Sequence, residues 1–442
     1  MGNEAKNNLL RSWKEIASYL GYDERTCYRW EQKFGMPVHR AEAGASKSHV
    51  VAYKEELDLW FQEAFKNSSH PGPPKKAGRP ALRWAFFGLA PVVVVAAFLM
   101  IRTVTSPPPQ PADFAIRGSV LIVLSEDGKE LWRHDFKVEG LEDESFYRAH
   151  FQTAHNGARL PSIMIKDIDG DGRNEVLFAV KKRDDAYGEG DLYCYNSRGR
   201  ELWQFTAGRE MSFGGRTYSA DYRIYGFRLH DFNGDGRQEI AVISYHYPQW
   251  PCQLAILDSN GRLTGEFWNC GYLTDLCYRD LDGDGREEVV VSGVNNQYGG
   301  CLIVFDPRRV GGCSPQSGEF KSDTLPPGLE KYYVLTPRTD VSLALGDIVE
   351  SITNLGVTKN KRLVADTNYC LIYEFDFGLR CLNADWGHGY MTRHNELAAA
   401  GKIRSALDEA YRQTIIKGVR YWDGRAWVAE PTPNLRNAPS TR

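Results

Sequence analysis

The sequence predicts a multidomain chain: a small all-α head with a wing, a single membrane-crossing helix, and a large all-β, propeller-like domain that ends in a helix. Three observations predict it. A capped amphipathic pattern fills the first 66 residues, an uncharged apolar run occupies 84–101, and an acidic glycine-rich motif recurs three times between 165 and 293. At 442 residues the chain exceeds one ordinary domain, and its pattern changes sharply near residue 83. The net charge of −3 hides an asymmetry: residues 1–83 carry 14 Lys+Arg against 10 Asp+Glu, and the remainder carries 40 against 47. A mildly basic head and a mildly acidic body follow.

In the head (1–66), Ser12-Trp13-Lys14-Glu15 has the spacing of a capping box, in which a hydroxyl and a carboxylate each satisfy an orphan amide at a helix start. Trp13, Ile16, Ala17 and Leu20 recur at helical spacing, and Gly21 ends the element. Asp23 then caps a second helix from about Glu24 to Phe34, which Gly35 and Pro37 stop. Cys27, Trp30 and Phe34 share its inward face, so Arg25, Thr26, Tyr28, Arg29, Gln32 and Lys33 turn outward or to the flanks. Guanidinium and amide groups on such a face suit base edges in a major groove, and lysine and hydroxyl groups suit phosphates. A wing from His39 to Tyr53, with Arg40 and Lys47, leads into a third amphipathic helix from Lys54 to Phe65. The stretches WKEIASYLG, RTCYRWEQKFGMPVHR and VVAYKEELDLWF resemble the winged helix-turn-helix of excisionase and MerR-like regulators. That resemblance implies that Arg25, Arg29, Arg40 and Lys47 face double-stranded DNA.

A basic, proline-containing linker (67–83) precedes the run WAFFGLAPVVVVAAFLMI from Trp84 to Ile101, close to the roughly 20 residues a helix needs to cross a bilayer. Lys75, Lys76, Arg79 and Arg83 lie before it and only Arg102 just after it. The positive-inside rule therefore places the N-terminus in the cytoplasm and the body outside the inner membrane. A stiff spacer, 102–112, contains SPPPQP.

In the body (113–442) three segments share one pattern: IKDIDGDGRNEVLFAV, LHDFNGDGRQEIAVIS and YRDLDGDGREEVVVSG. Each offers side-chain oxygens at loop positions 1, 3, 5 and 9 and a backbone carbonyl at position 7. These sets are Asp167, Asp169, Asp171, Arg173 and Glu175; Asp231, Asn233, Asp235, Arg237 and Glu239; and Asp280, Asp282, Asp284, Arg286 and Glu288. Oxygens so crowded repel one another unless a hard cation binds, and six to eight ligands favour calcium, up to three ions in a structural role. Position 12 is Phe178, Val242 or Val291 inside a β-rich run, which excludes an EF-hand. Hairpin patterns follow each loop, and the lone SVLIVLSEDGKELWRHDF before the first suggests a sheet completed by the chain's other end, as in a β-propeller. Residues 160–306, and more weakly the stretches on either side, are similar to the FG-GAP/VCBS repeat family, which implies calcium loops and four-stranded propeller blades; the strand patterns beyond residue 331 leave six or seven blades, or an appended helix. Asn395 to Lys417 reads as helical.

Eight of the nine cysteines follow the apolar run, and Cys252 with Cys270, Cys301 with Cys313, and Cys370 with Cys381 bracket hairpins. Disulfides or buried free thiols satisfy that pattern. Asp385, His388, His394 and Glu396 form the one cluster of enzymatic appearance, but no nucleophile elbow, zinc-protease helix or nucleotide loop is present. The sequence thus points away from an enzyme and toward a membrane-anchored one-component transcriptional regulator. Its head would bind DNA, as a homodimer because one head binds weakly at physiological salt. Its body would sense an extracytoplasmic ligand or protein. The alternatives are a membrane-anchored adhesion or scaffold protein and a propeller enzyme.

Overall fold

The computed structural model describes residues 8–20, 22, 24–40, 50–64, 108–149, 151, 160–183, 190–247, 250–346 and 350–434. The chain divides into two compact units, 1–105 and 106–442.

In the first unit, helices α1 (Trp13–Leu20), α2 (Glu24–Phe34) and α3 (Lys54–Ala64) pack with a three-stranded sheet. Val50–Tyr53 is its central strand, antiparallel to Leu9–Leu10 on one side and His39–Arg40 on the other. The head is therefore α+β and not all-α: the apolar alternation of Val50 and Ala52 buries one face of the wing strand against the helices. Half of the capping box forms as expected, the Glu15 amide donating to Ser12 Oγ at 3.2 Å, while the Glu15 carboxylate reaches one residue further back and accepts the Arg11 amide at 2.7 Å. Cys27 and Trp30 point into the core as their spacing predicts, but Phe34 is 55% exposed. Gly35 turns the chain through a positive φ of 62°, and Met36, 3% exposed, takes the core position instead.

Among the described residues the second unit has six sheets: a succession of five with three to six strands, antiparallel but for one parallel pairing, and a two-stranded hairpin of Met211–Phe213 and Arg216–Tyr218. The first comprises Pro111–Arg117, Val120–Ser125 and Glu130–Asp135. Helix α4 (Glu144–Ala149) leads to the second, a four-stranded meander of Ile163–Lys166, Glu175–Ala179, Asp191–Tyr195 and Glu201–Thr206. The third contains Tyr222–His230, Glu239–His246, Cys252–Leu257 and Leu263–Asn269, with Gly311–Cys313 added in parallel. In the fourth, Leu273–Arg279, Glu288–Asn295, Gly299–Phe305 and Tyr332–Leu335 are extended by Arg420–Trp422 and Trp427–Val428. The fifth has Ile352–Val357, Leu363–Thr367, Leu371–Phe375 and Cys381–Trp386, and helices α5 (Asp340–Leu345), α6 (His388–Ala399) and α7 (Glu409–Gly418) accompany it.

Strand alternation sorts the side chains between neighbouring sheets. Val176 and Phe178 pack toward the first sheet, whereas Leu177 and Ala179 pack toward the third. Val289 and Val291 likewise meet the third sheet, while Val290 joins the cluster of the fifth. Second strands buried on both faces explain why Glu288–Asn295 reads as a nearly continuous apolar run.

Several expectations are corrected. Among the described residues no helix is long and apolar enough to cross a membrane, and the longest, α6, has 12 residues. The expected span 84–101 lies outside the described residues, so the fold is that of a mixed head and a large β unit without a membrane helix in view. The C-terminal strands do not complete the first sheet; they pair with Tyr332–Leu335 of the fourth, and among the described residues no buried cluster joins fifth sheet to first. Among the described residues five sheets of three or more strands are seen where six or seven blades were expected. The C-terminal helix is two helices, with residues 400–408 between them.

All nine cysteines are free thiols. Cys252 opposes Asn269 across two strands, so Cys270, one residue on, belongs to the other face. Cys301 and Cys313 lie in different sheets. Leu371 pairs with Trp386 and Phe375 with Cys381, which puts Cys370 at the far end of its hairpin, more than roughly 13 Å of strand from Cys381. Burial pushes the Cys252 and Cys301 thiols up to about 12, so they serve as neutral core groups.

A fully buried polar knot joins the third and fourth sheets. Asn295 Nδ2 donates to Tyr333 Oη at 2.9 Å, and that hydroxyl donates to Asn269 Oδ1 at 2.9 Å. Tyr333→Phe takes the partner from buried Asn295 Nδ2 and Asn269 Oδ1 and is expected to destabilise the chain by about 1–3 kcal/mol in chemical denaturation. An unchanged midpoint would show that the knot contributes nothing.

Candidate metal loops and nucleic-acid face

Each acidic loop joins the first strand of a sheet to the second, in the second, third and fourth sheets, and the position-9 glutamates Glu175, Glu239 and Glu288 open those second strands. The backbone bonding is the same three times. Asp167 accepts the amides of Gly170 at 2.8 Å and Gly172 at 2.9 Å; Asp231 does so from Gly234 and Gly236, and Asp280 from Gly283 and Gly285. Both glycines of the first loop need φ near +80°, which a side chain would strain. Asp171, Asp235 and Asp284 accept from the amides of Arg173, Arg237 and Arg286, each at 2.8 Å. Each glutamate then reaches back to the amide at position 2: Ile168, Phe232 or Leu281.

In the first and third loops this bonding makes positions 1, 3 and 9 converge. Ligand atoms of Asp167, Asp169 and Glu175 lie within 4.8 Å of one another, as do those of Asp280, Asp282 and Glu288. In the middle loop Asn233 replaces one carboxylate, and its Nδ2 donates to Glu239 Oε1 at 3.1 Å. An all-oxygen donor set with no sulfur or imidazole fits a hard cation such as calcium. Electrostatics agree: burial, then the carboxylates of Asp169, Asp171 and Asp167, push Glu175 up to about 7 against the pull of the Ile168 amide. Burial also raises Glu239. Asp231 is held below the usual carboxylate range, because the amides of Gly236, Gly234 and Asp235 outweigh its burial.

Three features had no sequence signal. The loops are chained, with Lys166 before the first loop donating to Gln238 of the second at 2.7 Å, and His230 before the second meeting Glu287 of the third at 2.7 Å. Gln110 of the proline-rich spacer grips the first loop, donating to the Gly172 carbonyl at 3.1 Å and accepting from the Asn174 amide at 2.9 Å. Lys331 Nζ reaches Asp282 and Glu288 of the third loop. Only tertiary pairing brings these residues to the loops. The cluster considered for catalysis does not assemble: His388 and Glu396 are exposed on α6, His394 is buried, and Asp385 lies 3.6 Å from Arg412.

On the head, Arg25, Tyr28, Arg29 and Gln32 are exposed along α2 and Thr26 is half-buried. Tyr28 is held by ring stacking on Trp13 of α1, with centroids 4.4 Å apart, which makes it a brace as well as a surface group. Lys33 lies within α2 and Arg40 within the wing strand, but their side chains, like the whole of Lys47, fall outside the described residues.

The raised Glu175 gives a pH dependence of known sign. A carboxyl whose folded value exceeds its unfolded value lends stability that is complete below about pH 4.5 and lost as pH rises through about 7. In chelator, the melting temperature of the wild type is expected to fall relative to that of Glu175→Gln across this window. Parallel curves would show that Glu175 titrates normally.

Residues 167–242, spanning the first two loops and the sheet between them, match the FG-GAP-like repeat family. No curated protein matches the chain by sequence. Among solved structures, BBS1N in complex with ARL6DN is 9% identical over 64% of this chain and 71% of that one, with a TM-score of 0.32. The Dos1 propeller is 9% identical over 60% and 65%, with a TM-score of 0.31. The V. cholerae biofilm matrix protein Bap1 is 15% identical over 63% and 47%, with a TM-score of 0.20. The chain therefore carries an FG-GAP-like repeat within a large domain of successive antiparallel sheets.

Proposed function

We propose that the chain is a one-component regulator: its head binds duplex DNA, and its β unit, braced by calcium in the acidic loops, binds a ligand or protein whose presence the head reports. One observation carries the DNA reading. Helix α2 buries Cys27 and Trp30 and presents Arg25, Arg29 and Gln32 together on its exposed side, with the wing sheet beside it. Arginine and glutamine can each make bidentate contacts to base edges, and this density of donors on a helix braced from behind suits groove reading. The opposite face is committed to packing: Trp30 meets Trp60 and Phe61, and Trp60 Nε1 donates to the Phe34 carbonyl at 2.8 Å.

The calcium reading rests on three copies of one backbone-bonded loop, two of which bring carboxylate oxygens of positions 1, 3 and 9 within 4.8 Å of one another. Bound calcium would neutralise carboxylates that otherwise destabilise the start of each second strand. Two-headed binding, through a homodimer, is part of the proposal because a single small head neutralises few phosphates.

Selection of the full chain against random duplex DNA at low salt should enrich a defined sequence. Arg29→Ala should weaken binding to it by about tenfold or more while leaving the circular dichroism of the chain unchanged. Absence of enrichment, or undiminished affinity in the variant, would sink the assignment of α2 to the groove.

A further inference from the structure

We propose that Lys331 is a tethered cation occupying the third acidic loop, so that this loop takes calcium only at much higher concentration than the other two. The inference rests on the calcium reading of the loops and adds a ranking among them.

Lys331 Nζ lies 2.6 Å from Asp282 Oδ2 and 2.8 Å from Glu288 Oε1. Those carboxylates, with Asp280, are the ones that close within 4.8 Å in this loop. The ammonium thus meets the oxygens that a metal would need, two of the three at once. Glu288 is 5% exposed and Lys331 33%, so the pairing is shielded on one side and is more than a solvated surface contact.

The lysine is placed by its backbone. Its amide donates to the Val304 carbonyl at 2.7 Å, its carbonyl accepts from the Asn434 amide at 2.9 Å, and the next residue, Tyr332, begins a strand paired with Gly299–Phe305. Asn434 also donates from its side chain to Glu330 at 2.9 Å. The segment is thus clamped from both sides, which holds the side chain beside the loop. A charge tethered so closely acts at a high effective concentration.

The other loops have no such occupant. Among the described residues no lysine or arginine is within ion-pair distance of Asp167, Asp169, Glu175, Asp231, Asp235 or Glu239. Lys166, beside the first loop, is turned to Gln238 instead. A divalent ion entering the third loop must displace an ammonium that already offsets two carboxylates; entering the first, it meets only crowded negative charge. An ammonium donates hydrogen bonds but cannot gather six oxygens, so calcium wins once it is abundant enough.

Calorimetric calcium titration of the full chain tests this. Wild type should fill two sites first and a third only at calcium about tenfold or more higher, and Lys331→Met should tighten that third site by about tenfold or more. Adding Asp282→Asn to Lys331→Met should abolish the gain, which locates it in this loop. Should Lys331→Met fold poorly, Lys331→Gln supplies the same comparison. Three equivalent sites in wild type, or a third site unmoved by both lysine variants, would overturn the inference and leave the calcium reading standing. No calcium uptake by any of these proteins would remove the calcium reading and the inference with it.

Discussion

The β unit depends on how each loop's first aspartate spends its two oxygens. By accepting the amides of two glycines at once, Asp167, Asp231 and Asp280 wind six residues into a turn that delivers a glutamate to the first position of a buried strand. That strand is sandwiched between neighbouring sheets, and every residue of Glu175–Ala179 and Glu288–Asn295 is buried. Local hydrogen bonding at the rim thus sets the register of strands in the core.

The same winding creates a charge problem. In the first and third loops carboxylates brought within 4.8 Å repel one another, and Glu175 and Glu288 are nearly excluded from water. Each loop meets that strain differently. The first leaves the charge unbalanced, with Glu175 pushed up to about 7, the second substitutes Asn233, and the third recruits Lys331 from a distant strand boundary. Contacts running from Lys166 to Gln238 and from His230 to Glu287 then tie the three loops into a row along one rim.

In the head the constraint is aromatic. Trp30 contacts Tyr22, Trp60 and Phe61, so a single side chain of α2 is locked against α3 and the turn before it. The exposed side of α2 is held rigid by what its inner side touches. The proposed groove reading would need this, since a helix that rocks cannot hold several bidentate contacts in register.

Sequence alone determined what local chemistry dictates. The loop pattern, the glutamates that open strands, the capping of the Glu15 amide by Ser12, and the inward Cys27 and Trp30 were all legible, because each follows from spacing along a helix, turn or strand. Tertiary structure decided what depends on residues far apart in the chain. Phe34 faced outward because Met36 filled its place, the wing became a sheet by pairing Leu9–Leu10 with Val50–Tyr53, and the cysteines stayed thiols because strand register separates them. The last strands joined the fourth sheet and not the first, and Lys331, Gln110 and the chained contacts reached the loops from elsewhere. No periodicity encodes such meetings; they exist only once strands have found their partners, where packing and pairing over long separations outweigh local preference.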